Sequence, residues 1–370
     1  MITFCRKCLT PNSRPRVHFD DGVCNACLNA EAKKSIDWEE RESEFLDLIE
    51  PYRSSNEKYD CVVPWSGGKD SSAIAHKLKF KYGMNPLLVT FSPLIPNEIG
   101  QRNREALIDL GFDHILVRPN QAISRHLTKR FFIERGNPKV HWDAGINAIP
   151  MQVALEKNIH LVFYAEHGES EYGGRVLTEE SKKIRDITEV IEHQIGDDPL
   201  NWIDDQVSEK DLNPYRYPEP SKLEALGVKA LYFAYFHKWS MYENYEYIKS
   251  KIEFALAAEG RTNGTFTNFD SLDDKVDDIY YYLQFIKFGF GRAVRDASRM
   301  IQNDHLTRED GLKHALEFDG EFPNDHLPAF LEYLGLSRDE FTHIVDMHRN
   351  SEVWSNDDNS WKLTHPLPLK

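Results

Sequence analysis

The chain is poor in cysteine: 370 residues hold five, and four of these fall in two Cys-x-x-Cys pairs. A framework of disulfides is therefore not available to hold the fold. Long hydrophobic runs are also missing. No stretch approaches the roughly 18 apolar residues of a membrane-spanning helix, which argues against a membrane partner. The opening residues Met1–Cys8 lack the apolar core of a signal peptide, so the expectation is a cytoplasmic protein. Positive charge is short as well, with 45 Lys and Arg against 60 Asp and Glu and a net charge of −15. No long Lys/Arg run offsets that field, which disfavours an extended nucleic-acid surface. Solubility alone accounts for such a charge. No internal repeat, heptad seam or low-complexity tract is present. Apolar content is an ordinary 41%, enough for a sizeable core. The length suggests two or three domains at about 100–200 residues each.

What is present centres on Tyr59–Ser72. Tyr59-Asp60-Cys61-Val62-Val63-Pro64 has strand character, and Ala73–Lys79 reads as helix. Between them Ser66-Gly67-Gly68-Lys69-Asp70-Ser71 forms a turn at a helix N-terminus, where unpaired N–H groups and the helix dipole favour an anion. Glycine allows the backbone to approach that anion closely. A Walker A loop is excluded, because the four residues that would separate its glycines are absent. The order of residues instead resembles the PP-loop of the ATP pyrophosphatases. The resemblance implies that the β,γ-phosphates of ATP are held as a leaving group while a substrate oxygen attacks the α-phosphate.

The cysteines carry the second signal. Cys5 and Cys8 are separated from Cys24 and Cys27 by residues 9–23, the spacing of a four-thiolate zinc site built from two knuckles. Four protein thiolates close the coordination sphere, so such a zinc is structural. Gly22 sits where a turn is needed, and His18 is a surface residue or a substitute ligand. Disulfides do not suit a reducing compartment, and an iron–sulfur cluster fits the spacing less well.

The expected organisation is an α/β fold with four parts. Residues 1–35 form a zinc knuckle and 36–57 a linker helix, its apolar stripe at Trp38, Phe45, Leu48 and Ile49. Residues 58–260 form a parallel-sheet domain, and 261–370 a helical C-terminal region. In the sheet domain apolar strands at 59–65, 86–92, 114–118 and 159–164 alternate with helices, and 229–236 reads as a fifth strand or a buried helix. Near-continuous apolar strands with helical crossovers indicate a parallel sheet covered on both faces. Ligands of such sheets bind beyond the strand carboxyl ends. The fourth strand leads into Glu166-His167-Gly168-Glu169-Ser170-Glu171-Tyr172-Gly173-Gly174, whose carboxylates could hold magnesium, a sugar hydroxyl or ammonium. Residues 175–220 are polar and proline-rich and read as an insertion or lid. In Ile286–Asp296 the cations Lys287, Arg292 and Arg295 suit phosphate or serve as solvated helix charges.

Together the paired Cys-x-x-Cys, Trp65–Ser71, Gly168–Gly174, Ile286–Ala293 and Phe318-Asp319-Gly320-Glu321-Phe322-Pro323 resemble the N-acetyl sugar amidotransferase family. This is a PP-loop group from bacterial surface-glycan pathways such as lipopolysaccharide O-antigen synthesis. The resemblance implies adenylation of the N-acetyl oxygen of a sugar or nucleotide sugar, release of pyrophosphate, and displacement of AMP by ammonia to leave an acetamidino group. It implies ATP, magnesium and zinc as cofactors. Backbone N–H groups of Gly67, Gly68 and Asp70, the Lys69 ammonium, and Ser66 and Ser71 would hold the leaving pyrophosphate. Asp70 would bind magnesium. Ser72, Phe91, Lys287 and Arg292 would complete the nucleotide site, and Lys69, Asp70, Glu169 and Glu171 would be catalytic. Glutamine hydrolysis needs a nucleophilic cysteine with a base beside it. Only Cys61 is spare, inside a strand, and position 2 is Ile2. A separate glutaminase is therefore expected, and the resemblance implies an ammonia-channelling subunit with it. The competing readings are a tRNA-thiolating PP-loop enzyme and a catalytically silent nucleotide-binding protein. Intact Lys69 and Asp70 oppose the second.

Overall fold

The computed structural model describes residues 2–53, 59–186, 191, 195–357 and 360–368. A short antiparallel hairpin, β1 (Phe19–Asp20) and β2 (Val23–Cys24), leads into helix α1 (Asn25–Ala32) and then α2 (Trp38–Ile49). Asp37 caps α2 by accepting from Glu39 N and Glu40 N, which fixes where the linker helix starts.

The central sheet contains β3 (Cys61–Pro64), β4 (Pro86–Phe91), β5 (Asp113–Val117), β6 (Leu161–Tyr164) and β7 (Lys229–Tyr232). Its spatial order is β5-β4-β3-β6-β7, and every pairing is parallel. The chain thus builds outward from β3 on one side, then returns to build on the other. That reversal puts the topological switch point at the carboxyl end of β3.

Alternation along the strands divides the core. Cys61, Val63, Leu88, Leu161 and Phe163 face Phe45 of α2 and α3 (Lys69–His76). Val62, Leu87, Val89, Val162 and Ala230 face α5 (Gln121–Arg135) and α6 (Val140–Lys157). Between these, α4 (Glu98–Ile108) joins β4 to β5. All six residues of β4 are buried, as a strand covered on both faces requires. The parallel α/β sheet, the N-terminal cysteine cluster and the helical C-terminal region all match the expected fold class.

Two segments depart from their sequence reading. Residues 229–236 are both alternatives in turn, strand to Tyr232 and then a one-turn helix, Phe233–Phe236. The described part of 175–220 is no free lid, because Trp202, Leu212 and Tyr215 are fully buried in the layer holding α5 and α6. Aromatic residues scattered among prolines concealed that role.

The C-terminal helices Val276–Phe288, Leu327–Leu334 and Arg338–Met347 share a core with Leu94 and Phe132 of the sheet domain. Leu9 of the N-terminal segment packs with Phe290, Val294 and Ala297. Among the described residues no helix is long and apolar enough to cross a membrane.

Candidate functional site

The β3 carboxyl end passes through Trp65–Gly68 into α3. Trp65 N donates to Val89 O at 2.8 Å, and its Nε1 donates to Ser72 Oγ at 2.8 Å. Ser72 is thereby a strut beneath the loop, fully buried. Gly67 holds φ +91, where a Cβ would lie 2.6 Å from Arg104 Cγ, so both backbone angle and space require glycine. Arg104 Nη1 in turn donates to Ser66 O at 3.1 Å. Gly68 is the N-cap of α3, so the first-turn N–H groups point into the cavity ahead of the helix.

That cavity, about 420 Å³, is lined by Ser66, Gly67, Gly68, Lys69, Asp70 and Ser71 on the loop side. Phe91, at the end of β4, also lines it. Ligand pockets of this size are ordinary for small molecules. Lys69 is only 4% exposed and bridges Asp70, at 2.9 Å, and Asp270, at 2.5 Å. Burial works against its charge, but Asp270 and Asp70 outweigh that and raise its pKa. Asp70 Oδ1 accepts from Trp239 Nε1 at 3.1 Å and Asn244 Nδ2 at 2.8 Å, which fixes the carboxylate at the helix mouth.

Glu166, at the end of β6, faces the same cavity. Burial and then the Asp70 charge push its carboxyl up to about 7. Tyr172 OH donates to it at 2.6 Å. Asp270 is the reverse case. Burial alone would raise it, but Lys69, Arg295 and Arg292 hold it well below the usual carboxylate range.

Of the other residues singled out by sequence, Glu169 and Glu171 do not line the cavity ahead of α3, although Glu169 lines a second one. Glu169 pairs with Arg16, and its second oxygen accepts from Arg175 N at 2.7 Å. Glu171 pairs with Lys33. Around them Arg14 Nε donates to Gly173 O at 3.0 Å and Asn29 Nδ2 to Ser170 O at 3.1 Å. The acidic loop and its short helix α7 (Gly168–Tyr172) therefore clasp the cysteine knuckle.

Arg292 is likewise withdrawn from the cavity, fully buried, with Nη2 donating to Asp270 O at 2.5 Å. It orders the segment that carries Asp270. Lys287 lines a second cavity of about 500 Å³ on the far side of Tyr172. The glycines near it are joints. Gly289 ends the helix Val276–Phe288 at φ +75, and Asp319 accepts from Gly291 N at 2.7 Å and Val294 N at 3.0 Å. Asp319 thus caps the helix Arg292–Gln302, which explains why the two C-terminal motifs occur together. Asp270 and Arg104 carried no sequence signal. Both lie outside any motif and act only through distant partners.

The four knuckle cysteines are buried, and their sulfurs all lie within 4.8 Å of one another. Cys5 Sγ to Cys27 Sγ is 3.8 Å and Cys8 Sγ to Cys24 Sγ is 3.6 Å, far beyond the ~2.05 Å of a disulfide. Cys24 N donates to Cys5 Sγ at 3.3 Å and Gln302 Nε2 to Cys8 Sγ at 3.7 Å. Donors aimed at sulfur suit thiolates held for a metal ion.

Residues 263–367 match the family model described as "LPS biosynthesis protein WbpG-like, C-terminal domain". No curated protein sequence matches the chain. Among solved structures, the chain is similar to the NH3-dependent NAD synthetase of Campylobacter jejuni, at 18% identity and TM-score 0.28, over 52% of this chain and 92% of that one. The NMN synthetase of Francisella tularensis is similar at 14% identity and TM-score 0.29, over 58% and 87%. The U34-tRNA thiolase NcsA of Methanococcus maripaludis, solved with its [4Fe-4S] cluster, is similar at 15% identity and TM-score 0.27, over 68% and 82%. Superpositions this partial transfer no activity.

Proposed function

We propose that this protein is an ATP-dependent, AMP-forming amidotransferase that converts the N-acetyl group of a sugar or nucleotide sugar to an acetamidino group during lipopolysaccharide synthesis. The observation that carries the reading is the Ser66–Ser71 loop at the N-terminus of α3, opening on a cavity at the sheet's switch point. The lipopolysaccharide-biosynthesis match of the C-terminal third supports the pathway.

Backbone N–H groups of the loop and the Lys69 ammonium are placed to accept negative charge on a departing pyrophosphate. The amide oxygen attacks the α-phosphorus, the bond to the β,γ-diphosphate breaks, and the oxygen becomes part of a good leaving group. Ammonia then adds at the former carbonyl carbon, the C–O bond breaks, and AMP leaves. Asp70, whose oxygens accept from Lys69, Trp239 and Asn244, would hold a magnesium ion, which would shield charge on the phosphates. Glu166, titrating near neutrality, is placed to take the proton that incoming nitrogen must lose.

The knuckle fits zinc. Four sulfurs around one ion at ~2.3 Å have tetrahedral edges of about 3.8 Å; two of the pairs measure 3.8 and 3.6 Å, and all lie within 4.8 Å. A four-iron cluster places each sulfur on a different iron and needs a wider cage. Cys5, Cys8, Cys24 and Cys27 would hold the ion as a structural element.

Sulfur transfer is the weaker reading, because Cys61 is fully buried in β3 and burial, with Asp60 beside it, pushes its thiol up. The same burial argues against Cys61 as a nucleophile for glutamine, so ammonia would come from a separate glutaminase, with the channelling subunit that the family resemblance implies. The test incubates the metal-loaded chain with Mg-ATP, candidate N-acetyl sugar nucleotides and either ammonium or glutamine. AMP, pyrophosphate and an amidine product should appear with ammonium alone. Sugar-dependent ADP formation, or efficient use of glutamine, would sink the reading.

A further inference from the structure

Buried cations are normally matched by carboxylates, because an unmatched charge loses its hydration without recompense. Most of those in this protein follow the rule. Arg292 meets Asp278, Lys139 meets Asp274 and Asp277, and Arg295 meets Asp270 and Asp296. Arg104 and Arg299 are answered by the carbonyls of Ser66 and Arg295 instead, and Arg14 and Lys287 likewise lack a carboxylate but share a cavity. Both line the second cavity and both are half-buried. Arg14 Nε donates to Gly173 O at 3.0 Å and Lys287 Nζ to Arg135 O at 3.0 Å. Neither forms an ion pair among the described residues, although the chain has acids to spare at a net charge of −15. Two acids do line the cavity, but Glu169 is taken by Arg16 and Arg175 N and burial pushes Asp143 up to about 7. Burial, followed by the nearby charge of Arg299, brings Arg14 down to about 10 against the opposing pull of Tyr280 and Glu169, and burial lowers Lys287 as well.

The surroundings narrow what would complete them. Tyr280 and Phe288 line the same cavity, and aromatic side chains in a cavity wall suit a sugar or base, whereas the Tyr281 ring is covered by Arg295 and Arg292. Gly168 and Tyr172 line both cavities, so the two adjoin across α7. Asp270 ties them further, since Lys69 of the first and Arg295 of the second share its carboxylate. A ligand anchored at Arg14 and Lys287 therefore extends toward the loop that would hold ATP.

From this we infer that the second cavity is the acceptor site, where Arg14 of the cysteine knuckle and Lys287 of the helix Val276–Phe288 bind the anionic group of an N-acetyl sugar. The inference rests on the amidotransferase reading for the acetamido part. The anion itself follows from the two unmatched cations. It also gives the metal knuckle a second task, since the knuckle supplies one wall of the site.

The diphosphate of a nucleotide sugar and the carboxylate of a sugar acid share the required chemistry. The experiment separates them by titrating the metal-loaded full chain calorimetrically with UDP-N-acetylglucosamine, N-acetylneuraminic acid and neutral N-acetylglucosamine, without ATP. At least one anionic probe should bind, and the neutral sugar should not. Lys287→Gln and Arg14→Gln should each weaken the anionic probe by about tenfold or more, the expected loss of a charge-assisted contact. Lys287→Arg should restore it, and a non-hydrolysable ATP analogue should bind all forms equally. If Arg14→Gln loses its metal, the Lys287 pair decides alone. Wild-type-like binding by Lys287→Gln overturns the inference, as does equal binding of the neutral sugar or failure of both anionic probes. Absence of AMP formation would instead overturn the proposed reaction and leave a positive binding result standing.

Discussion

Asp270 Oδ1 lies 2.5 Å from Lys69 Nζ, across 201 positions of sequence. The same carboxylate receives Arg295, and its segment is ordered by buried Arg292. Asp270→Asn keeps the shape but leaves Lys69 and Arg295 each short of an anion. Removing one partner of a buried pair costs about 3–5 kcal/mol, and urea unfolding at neutral pH should show a loss of that order. The Asp270 carboxyl is held below its ordinary value, so its contribution is present above the unfolded value of ~3.9 and fades as pH falls below it. The variant should therefore lose less stability than the wild type on acidification. Parallel acid profiles would show that the pairing adds nothing.

Gly67 and Gly83 give a matched test of the Ser66–Ser71 loop. Both have positive φ, +91 and +65, but only Gly67 is crowded, with Arg104 Cγ 2.6 Å from a built Cβ, whereas Gly83 has nothing within 4 Å. Alanine at either position should cost about 1–2 kcal/mol for the left-handed backbone. Gly67→Ala must also displace Arg104 from Ser66 O. AMP formation should collapse in Gly67→Ala and persist in Gly83→Ala, as a coupled pyrophosphate assay will show. Equal activities would remove the loop from the active site.

The parts legible in the sequence were those written in contiguous residues. The Ser66–Ser71 loop and the two cysteine pairs each carry their geometry within a few positions, so spacing alone revealed them. Near-continuous apolar strands separated by helices exposed the parallel sheet for the same reason. Glu169 and Glu171 were singled out because position after a core strand suggested chemistry, and the fold instead engages both in ion pairs with the N-terminal segment. Their partners, Arg16 and Lys33, lie 153 and 138 positions away, and no local pattern announces such pairs. Asp270 and Arg104 were missed on the same physical ground. Each gains its role from a partner that only the folded chain supplies. Lys287 and Arg292 were selected for their charge, but one faces a different cavity and the other is consumed by its own scaffold.

Glu171 therefore offers a separation of structural from catalytic roles. Its side chain is 8% exposed and that of Lys33 13%, so Glu171→Gln leaves a poorly hydrated cation beside α1. The knuckle should loosen. Metal release to a chelator, followed by a colorimetric zinc assay, should be faster than in wild type, and Cys24→Ser should retain no metal. For metal-loaded Glu171→Gln, AMP formation at saturating substrates should stay within about twofold, whereas removal of a general base costs 100-fold or more. A loss of that larger size with metal retained would return Glu171 to the chemistry.

Glu166 is the acid–base candidate in the cavity ahead of α3, which Glu169 and Glu171 do not line. Its carboxyl titrates at about 7 because burial and the Asp70 charge disfavour ionisation, against ~4.3 in the unfolded chain. The sign follows directly. The folded state holds the proton more tightly, so Glu166 favours folding below pH ~4.3 and that advantage is lost as pH rises to about 7. Glu166→Gln should thus be more stable than wild type at pH 8, with the difference shrinking toward pH 5. Activity runs the other way, because only the ionised form accepts a proton. At constant free ammonia, the rate of wild-type AMP formation should rise through pH 7, with the inflection moved upward once ATP adds its negative charge beside Asp70. In Glu166→Gln that inflection should vanish and the rate should fall by about 100-fold. An unchanged inflection in the variant would assign the proton transfer to another group, and an unchanged rate would remove Glu166 from catalysis altogether.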